Sequence, residues 1–346
     1  MRSTQEFVHV DCFGWARIRR VATMIVIIHA CLAGLLIVGL LCGGILDGLA
    51  RIAATAVGVA AGVGLTRLRN HGLRIVLCWT GLLGVLALIV PATSHASLLA
   101  IAPALYLMAN LEDFDDMSWK SPHAHISFGL VVWVCVILVL GRHTGWMVIF
   151  AAGAAVQWFA KGRRGLATLL AAGVVIYIAI ALERRERLNI EDLFPLLRTG
   201  PAAIPFSWLS IREAGWLGDG ALIALDCAAA PAIATRWGWI GLGFTGVMAA
   251  ALPAAGILLV HARHPHPLVL SLIAMFAMHL LLHLLQIVGC PLHVASLPML
   301  GPPLECLVYA CLQVLAVHDL QSEFQLPRSG WRTRRTRRLG GSLSRL

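Results

Sequence analysis

The constraint that matters most is where charge is absent. Between Val21 and Val317 the chain is divided into long runs that contain no Asp, Glu, Lys or Arg. These runs are Val21–Cys42, Ile52–Thr66, Ile75–Asn110, Ser121–Gly141, His143–Ala160, Gly165–Leu182, Trp237–Ala262, His264–Leu304 and Cys306–Val317. A hydrocarbon core about 30 Å thick requires about 20 apolar residues per helix, so runs of this kind predict membrane spans. Only 13% of the 346 residues are charged and 59% are hydrophobic, whereas soluble domains average about 25% charged. A water-soluble enzyme and a disordered chain are both excluded. The predicted class is all-α, a polytopic membrane helix bundle of about ten transmembrane helices.

The runs do not map one to one onto helices. Ile75–Asn110 is too long for one helix. Pro91-Ala92-Thr93-Ser94 is read as its break, leaving Ser97–Ala109 as a half-span or an interfacial helix. Pro291 and Pro298 must end a helix within His264–Leu304. The weaker stretch Gly200–Gly218 carries Arg212 and Glu213 and is interrupted by Pro201 and Pro205. It is nevertheless counted as a span. The organisation is then a cytoplasmic segment over 1–20, a transmembrane domain over 21–320 and a basic cytoplasmic tail over 321–346.

Charge sets the orientation. The net charge is +10, and Lys and Arg concentrate on the inner side of spanning proteins. Both termini are expected inside, with the tail arginines Arg328, Arg332, Arg334, Arg335, Arg337 and Arg338 facing anionic lipid. The acidic loop Glu112, Asp113, Asp115 and Asp116 falls outside. The basic loop Lys161, Arg163 and Arg164 also falls outside, as the single exception. Without interleaved aromatic residues, the tail does not read as a nucleic-acid site.

Ionisable residues at membrane depth default to functional candidates. Asp226 lies in the apolar sequence Gly220-Ala-Leu-Ile-Ala-Leu-Asp226-Cys227. There it is either a general base with a pKa raised by desolvation, or a cap for the next helix. Arg212 and Glu213 either face a polar cavity or mark a segment that is not fully inserted. His279 and His283 share a helical face, and a polar seam against a neighbouring helix is favoured over a metal site. His123 and His125 either meet a phosphate headgroup or reach the interface. Nine dispersed cysteines without a CxxC pair read as small buried hydrophobes. There is no Walker A or GxGxxG loop, and no internal repeat favours a transporter.

In their order along the chain, several segments resemble the SEDS family (FtsW, RodA and SpoVE) of bacterial cell-wall synthesis. Trp119 and Ser121-Pro122-His123-Ala124-His125-Ile126-Ser127 are similar to the family's tryptophan followed by QPSE-x-x-K, with Ala124 at the glutamate position and Ser127 at the lysine position. Arg142-His143-Thr144-Gly145-Trp146-Met147-Val148 resembles the PDLGTA segment. Ser207-Trp208-Leu209-Ser210-Ile211-Arg212-Glu213-Ala214-Gly215-Trp216-Leu217-Gly218-Asp219-Gly220 matches S-L-x-A-I-G-S-G-G-L-F-G-x-G. Pro291 through Met299 resembles P-V-T-G-I-P-L-P-F. Counting from Gly238 places Cys227 on the position of the family's catalytic aspartate and Asp226 one residue earlier.

The resemblance implies an integral protein of the bacterial plasma membrane that acts on lipid II or another undecaprenyl-linked precursor. It also implies a class B penicillin-binding protein as partner. Asp226 would be the base, and Trp119, His123 and Arg212 would bind substrate. No cofactor is expected; only an active polymerase would call for a divalent cation. With the glutamate and lysine positions changed, impaired or altered glycosyltransferase chemistry is favoured over lipid II polymerisation. A flippase or transporter is the reading from another class.

Overall fold

The protein is described by a computed structural model covering 26–39, 45–67, 91–111, 122–141, 143–186, 211–220, 229–262, 267–287 and 297–325, plus isolated helical positions at 23, 41, 79 and 82. The described residues are overwhelmingly helical and contain no strand. The helices are α1 (Val26–Gly39), α2 (Ile45–Arg67), α3 (Ile101–Asn110), α4 (Pro122–Leu140), α5 (Thr144–Ala160), α6 (Arg164–Glu186), α7 (Ala229–Ala262), α8 (Pro267–Ile287) and α9 (Pro303–Gln325). The 3-10 helix Pro91–Ala100 runs directly into α3. By length and composition alone, segments of α2, α7 and α8 are long and apolar enough to cross a membrane. The other helices contain shorter apolar stretches. This is an integral membrane bundle.

Packing fixes which helix ends lie together. Helices α2 and α9 run parallel in close contact, because Gly58 and Gly62 bring the α2 backbone against Leu307, Ala310, Cys311 and Val314. A glycine pair four residues apart allows this approach in a bilayer. Helix α5 is antiparallel to α8. Ser271 Oγ, near the start of α8, donates to the Gly153 carbonyl at 2.9 Å. Trp146, at the start of α5, stands edge-on to His279 at 5.3 Å. Trp158 Nε1 near the end of α5 donates to Ser127 Oγ near the start of α4 at 2.7 Å. Ile28, Gly256, Val269 and Val317 line one cavity, so the start of α1, the later part of α7, the start of α8 and the later part of α9 share a level.

The bundle therefore has two ends. The Lys161 end collects the starts of α1, α4, α6 and α8 and the ends of α2, α3, α5, α7 and α9. The Glu305 end collects the opposite termini. This arrangement corrects two sequence expectations. First, Ile101–Ala109 is entirely buried, so this segment is not interfacial. Ten residues of 3-10 helix followed by ten of α-helix extend about 35 Å, enough to cross a hydrocarbon core of about 30 Å. Second, this additional crossing reverses the side of the loops between it and the turn at 214–217, which is not a spanning helix; the loops beyond that turn keep their expected side. The chain leaves Leu111 toward its acidic loop at the same end as Lys161, Arg163, Arg164 and the start of α1. The basic loop thus joins the N-terminal side, and the exception to the charge rule disappears.

The loop's lysine also has a structural task. Lys161 Nζ donates to the carbonyls of Met108, Ala109 and Leu111 at 2.6, 3.0 and 3.0 Å. These are carbonyls at the C-terminus of α3, where a cation is favoured by the helix dipole. Gln157 Nε2 holds the Leu105 carbonyl one turn earlier at 3.0 Å.

Candidate functional site at the Glu305 end

Helix α7 is broken near its start. Gly238 adopts φ 64°, ψ −161°, a conformation essentially restricted to glycine. The break releases amides and carbonyls from the helical ladder, and in a membrane these groups need internal partners. The glycine-rich segment 214–220 supplies them. Trp239 N donates to the Gly215 carbonyl at 3.0 Å, and Ile240 N to the Trp216 carbonyl at 3.3 Å. In return, Asp219 N donates to the Thr235 carbonyl at 2.9 Å, and Arg236 donates to the Gly220 carbonyl. The approach leaves no room for side chains. A Cβ on Gly238 would lie 2.3 Å from the Trp216 backbone, and one on Gly218 (φ 72°) would lie 2.6 Å from the Thr235 carbonyl. The family-like glycines are thus explained by a backbone-to-backbone bracket.

Gly200–Gly218, expected as a span, is not a continuous helix in its described part. Within its described part, only 211–213 is helical and the chain then turns. Arg212 and Glu213 are exposed, so they line no enclosed cavity.

A buried polar cluster lies at the same end. Arg51 Nε donates to the Gly301 carbonyl at 2.9 Å, and its NH1 to the Gly39 carbonyl at 3.1 Å. Trp146 Nε1 donates to Glu305 Oε1 at 3.0 Å. His279 Nδ1 and Tyr309 Oη are 2.8 Å apart, and Phe276 stacks on Tyr309 at 4.6 Å. Arg51 and Glu305 are each 1% exposed. The cluster joins the end of α1, the starts of α2, α5 and α9, and the turn before α9. Two of the family-like segments meet here, one through Trp146 and the other through the Leu297–Leu300 turn that leads to Gly301.

The predicted site residues do not all converge. Arg212 belongs to the glycine bracket at the Glu305 end. His123 is the second residue of α4, whose start lies at the Lys161 end. Trp119 and Asp226 lie outside the described residues. Ser127, at the family's lysine position, is buried as the acceptor for Trp158. His279 forms the expected polar seam with α9. Among the described residues, no group of three His, Cys, Asp or Glu is placed to hold a metal ion. Sequence reasoning missed Arg51 and Glu305 because charged residues were used as boundaries. Each directly precedes an apolar run, Ile52–Thr66 or Cys306–Val317, and that position was the available signal.

Fold and site together define a polytopic membrane protein with a glycine-bracketed broken helix above a buried polar cluster. In comparison with solved structures, the chain is similar to one chain of a peptidoglycan synthase complex described as coordinating polymerization and crosslinking. The identity is 18% and the TM-score 0.58, covering 88% of this chain and 98% of that one. It also matches the rod shape determining protein RodA of Thermus thermophilus, at 17% identity and a TM-score of 0.49, covering 88% of this chain and 96% of that one. No family model matches the sequence, and no curated protein matches it significantly. The fold is SEDS-like, as the order of motifs anticipates.

Proposed function

We propose that the protein is a SEDS-like component of bacterial peptidoglycan synthesis, serving cell shape or cell division, with altered glycosyltransferase chemistry. In this reading it binds lipid II or another undecaprenyl-linked precursor, together with a class B penicillin-binding protein, in the plasma membrane. Both termini and the Lys161 end face the cytoplasm, and the Glu305 end faces outward. The observation that carries the reading is the bracket between 214–220 and Gly238, since the segment most similar to the family motif is the one that repairs the broken helix. Arg212, exposed beside this bracket, is assigned to the anionic headgroup of the precursor. Asp226, between the bracket and α7, is the residue assigned to any remaining base chemistry. The basic tail is assigned to anionic lipid.

The test is reconstitution of the purified protein with fluorescent lipid II, with and without a class B transpeptidase. The expected result is no glycan polymer, together with retained capture of the transpeptidase. Polymer that disappears in Asp226→Ala would instead establish an active polymerase, the second reading. Lipid II translocation across vesicles without either result would move the protein to the flippase class.

A further inference from the structure

The bracket has an outer face that none of these roles uses. Trp216 and Leu217 are each 76% exposed, although two adjacent large apolar side chains normally seek cover. They cannot easily withdraw, because their backbone is held against the α7 break by the Gly215 and Trp216 carbonyls. Beyond the break, α7 presents Ile240, Phe244, Val247 and Leu258 on one face, all more than half exposed. Ile240 is the residue whose amide bonds Trp216, so the pair continues this lipid-facing stripe by one further layer.

Depth identifies the environment. Gly238 lies about 24 residues before Ala262, the last residue of α7, which at 1.5 Å per residue is about 36 Å. The hydrocarbon core is about 30 Å thick, and the headgroup regions bring the bilayer to about 40–45 Å. A helix whose inner limit is Ala262 therefore places the break in the far interfacial zone. Tryptophan is enriched in that zone. The nearby charged groups fit it as well: Arg212, Glu213 and Asp219 are exposed on either side of the pair, and Arg236 is half-buried.

We propose that Trp216 and Leu217 form a membrane-interface anchor, seated among the lipid headgroups and upper acyl chains at the Glu305 end. The anchor would fix the height of the glycine bracket relative to the bilayer surface. The occupant of this face is lipid.

The experiment uses full-length protein labelled with 5-fluorotryptophan in phosphatidylglycerol/phosphatidylcholine nanodiscs. The Trp216 fluorine resonance is the one missing in Trp216→Phe, a substitution that leaves an aromatic ring at an exposed position. Lipid carrying a nitroxide at acyl carbon 5 is expected to broaden this resonance at least twofold more than lipid carrying it at carbon 16. A water-soluble gadolinium chelate is expected to broaden it only weakly. Strong broadening by the chelate without a lipid effect would place the pair in water and overturn the proposal. Broadening by neither would place it under protein and overturn it equally. Leu217→Asp supplies a second readout. If the proposal holds, the Trp216 resonance shifts toward chelate sensitivity; an unchanged lipid response would contradict it.

Discussion

The Gly238 break makes the sharpest energetic prediction. Alanine at 238 would hold φ 64°, ψ −161° at a cost of about 1–3 kcal/mol. Its Cβ would also lie 2.3 Å from the Trp216 carbonyl group and 2.5 Å from Leu217 N. The bracket must then separate, losing the Trp239–Gly215 and Ile240–Trp216 hydrogen bonds at about 1 kcal/mol each. The expected destabilisation is about 3–5 kcal/mol, equivalent to roughly a 10 °C fall in melting temperature. Gly246, on the same helix, has open space around its Cβ position. Gly246→Ala should be neutral or gain up to about 1 kcal/mol in helix propensity. Thermal unfolding of both variants in nanodiscs, followed by tryptophan emission, measures the difference. Midpoints within about 2 °C of one another would refute the bracket as the reason for glycine at 238.

Lys161→Met removes the donor to three carbonyls at the end of α3 and should destabilise by about 2–4 kcal/mol. Lys161→Arg should retain part of that, with both read as thermal midpoints. Glu305→Leu leaves Trp146 Nε1 without its acceptor and should cost about 1.5–3 kcal/mol. Glu305→Gln keeps an oxygen acceptor and should melt closer to the wild type. Gly58→Val drives a side chain into the Leu307 carbonyl, 2.4 Å from the Cβ position, and should lower the yield of folded monomer on size-exclusion chromatography. Cysteines at 164 and 219 should react with an impermeant thiol reagent from opposite sides of the membrane; labelling from one side would contradict the end assignment.

The apolar runs made the bundle legible, because each spanning helix must bury its backbone hydrogen bonds and expose apolar side chains to lipid. They were less informative about sidedness. Treating Pro91–Ser94 as a break removed a crossing, whereas in the structure Pro91 begins a 3-10 helix continuous with α3. Restoring that crossing places Lys161 on the N-terminal side. The glycine-rich segment was recognised by pattern, yet its function as a backbone partner for Gly238 was not legible, since sequence spacing does not reveal which carbonyls approach a helix break. Arg51 and Glu305 were hidden for the converse reason. Arg51, bonded to Gly39 and Gly301, and Glu305, bonded to Trp146, sit deep in the bundle, but in a one-dimensional reading each marks the end of a helix.

The proposed function requires recognition of a lipid-linked wall precursor beside the glycine bracket. Binding of fluorescent lipid II to the protein in nanodiscs, competed by unlabelled lipid II or by phosphatidylglycerol, measures it most directly. Competition is expected from lipid II but not from phosphatidylglycerol, with about tenfold weaker binding for Arg212→Ala, the effect of one charge-assisted contact. Equal competition by phosphatidylglycerol, or unchanged affinity in the variant, would contradict it.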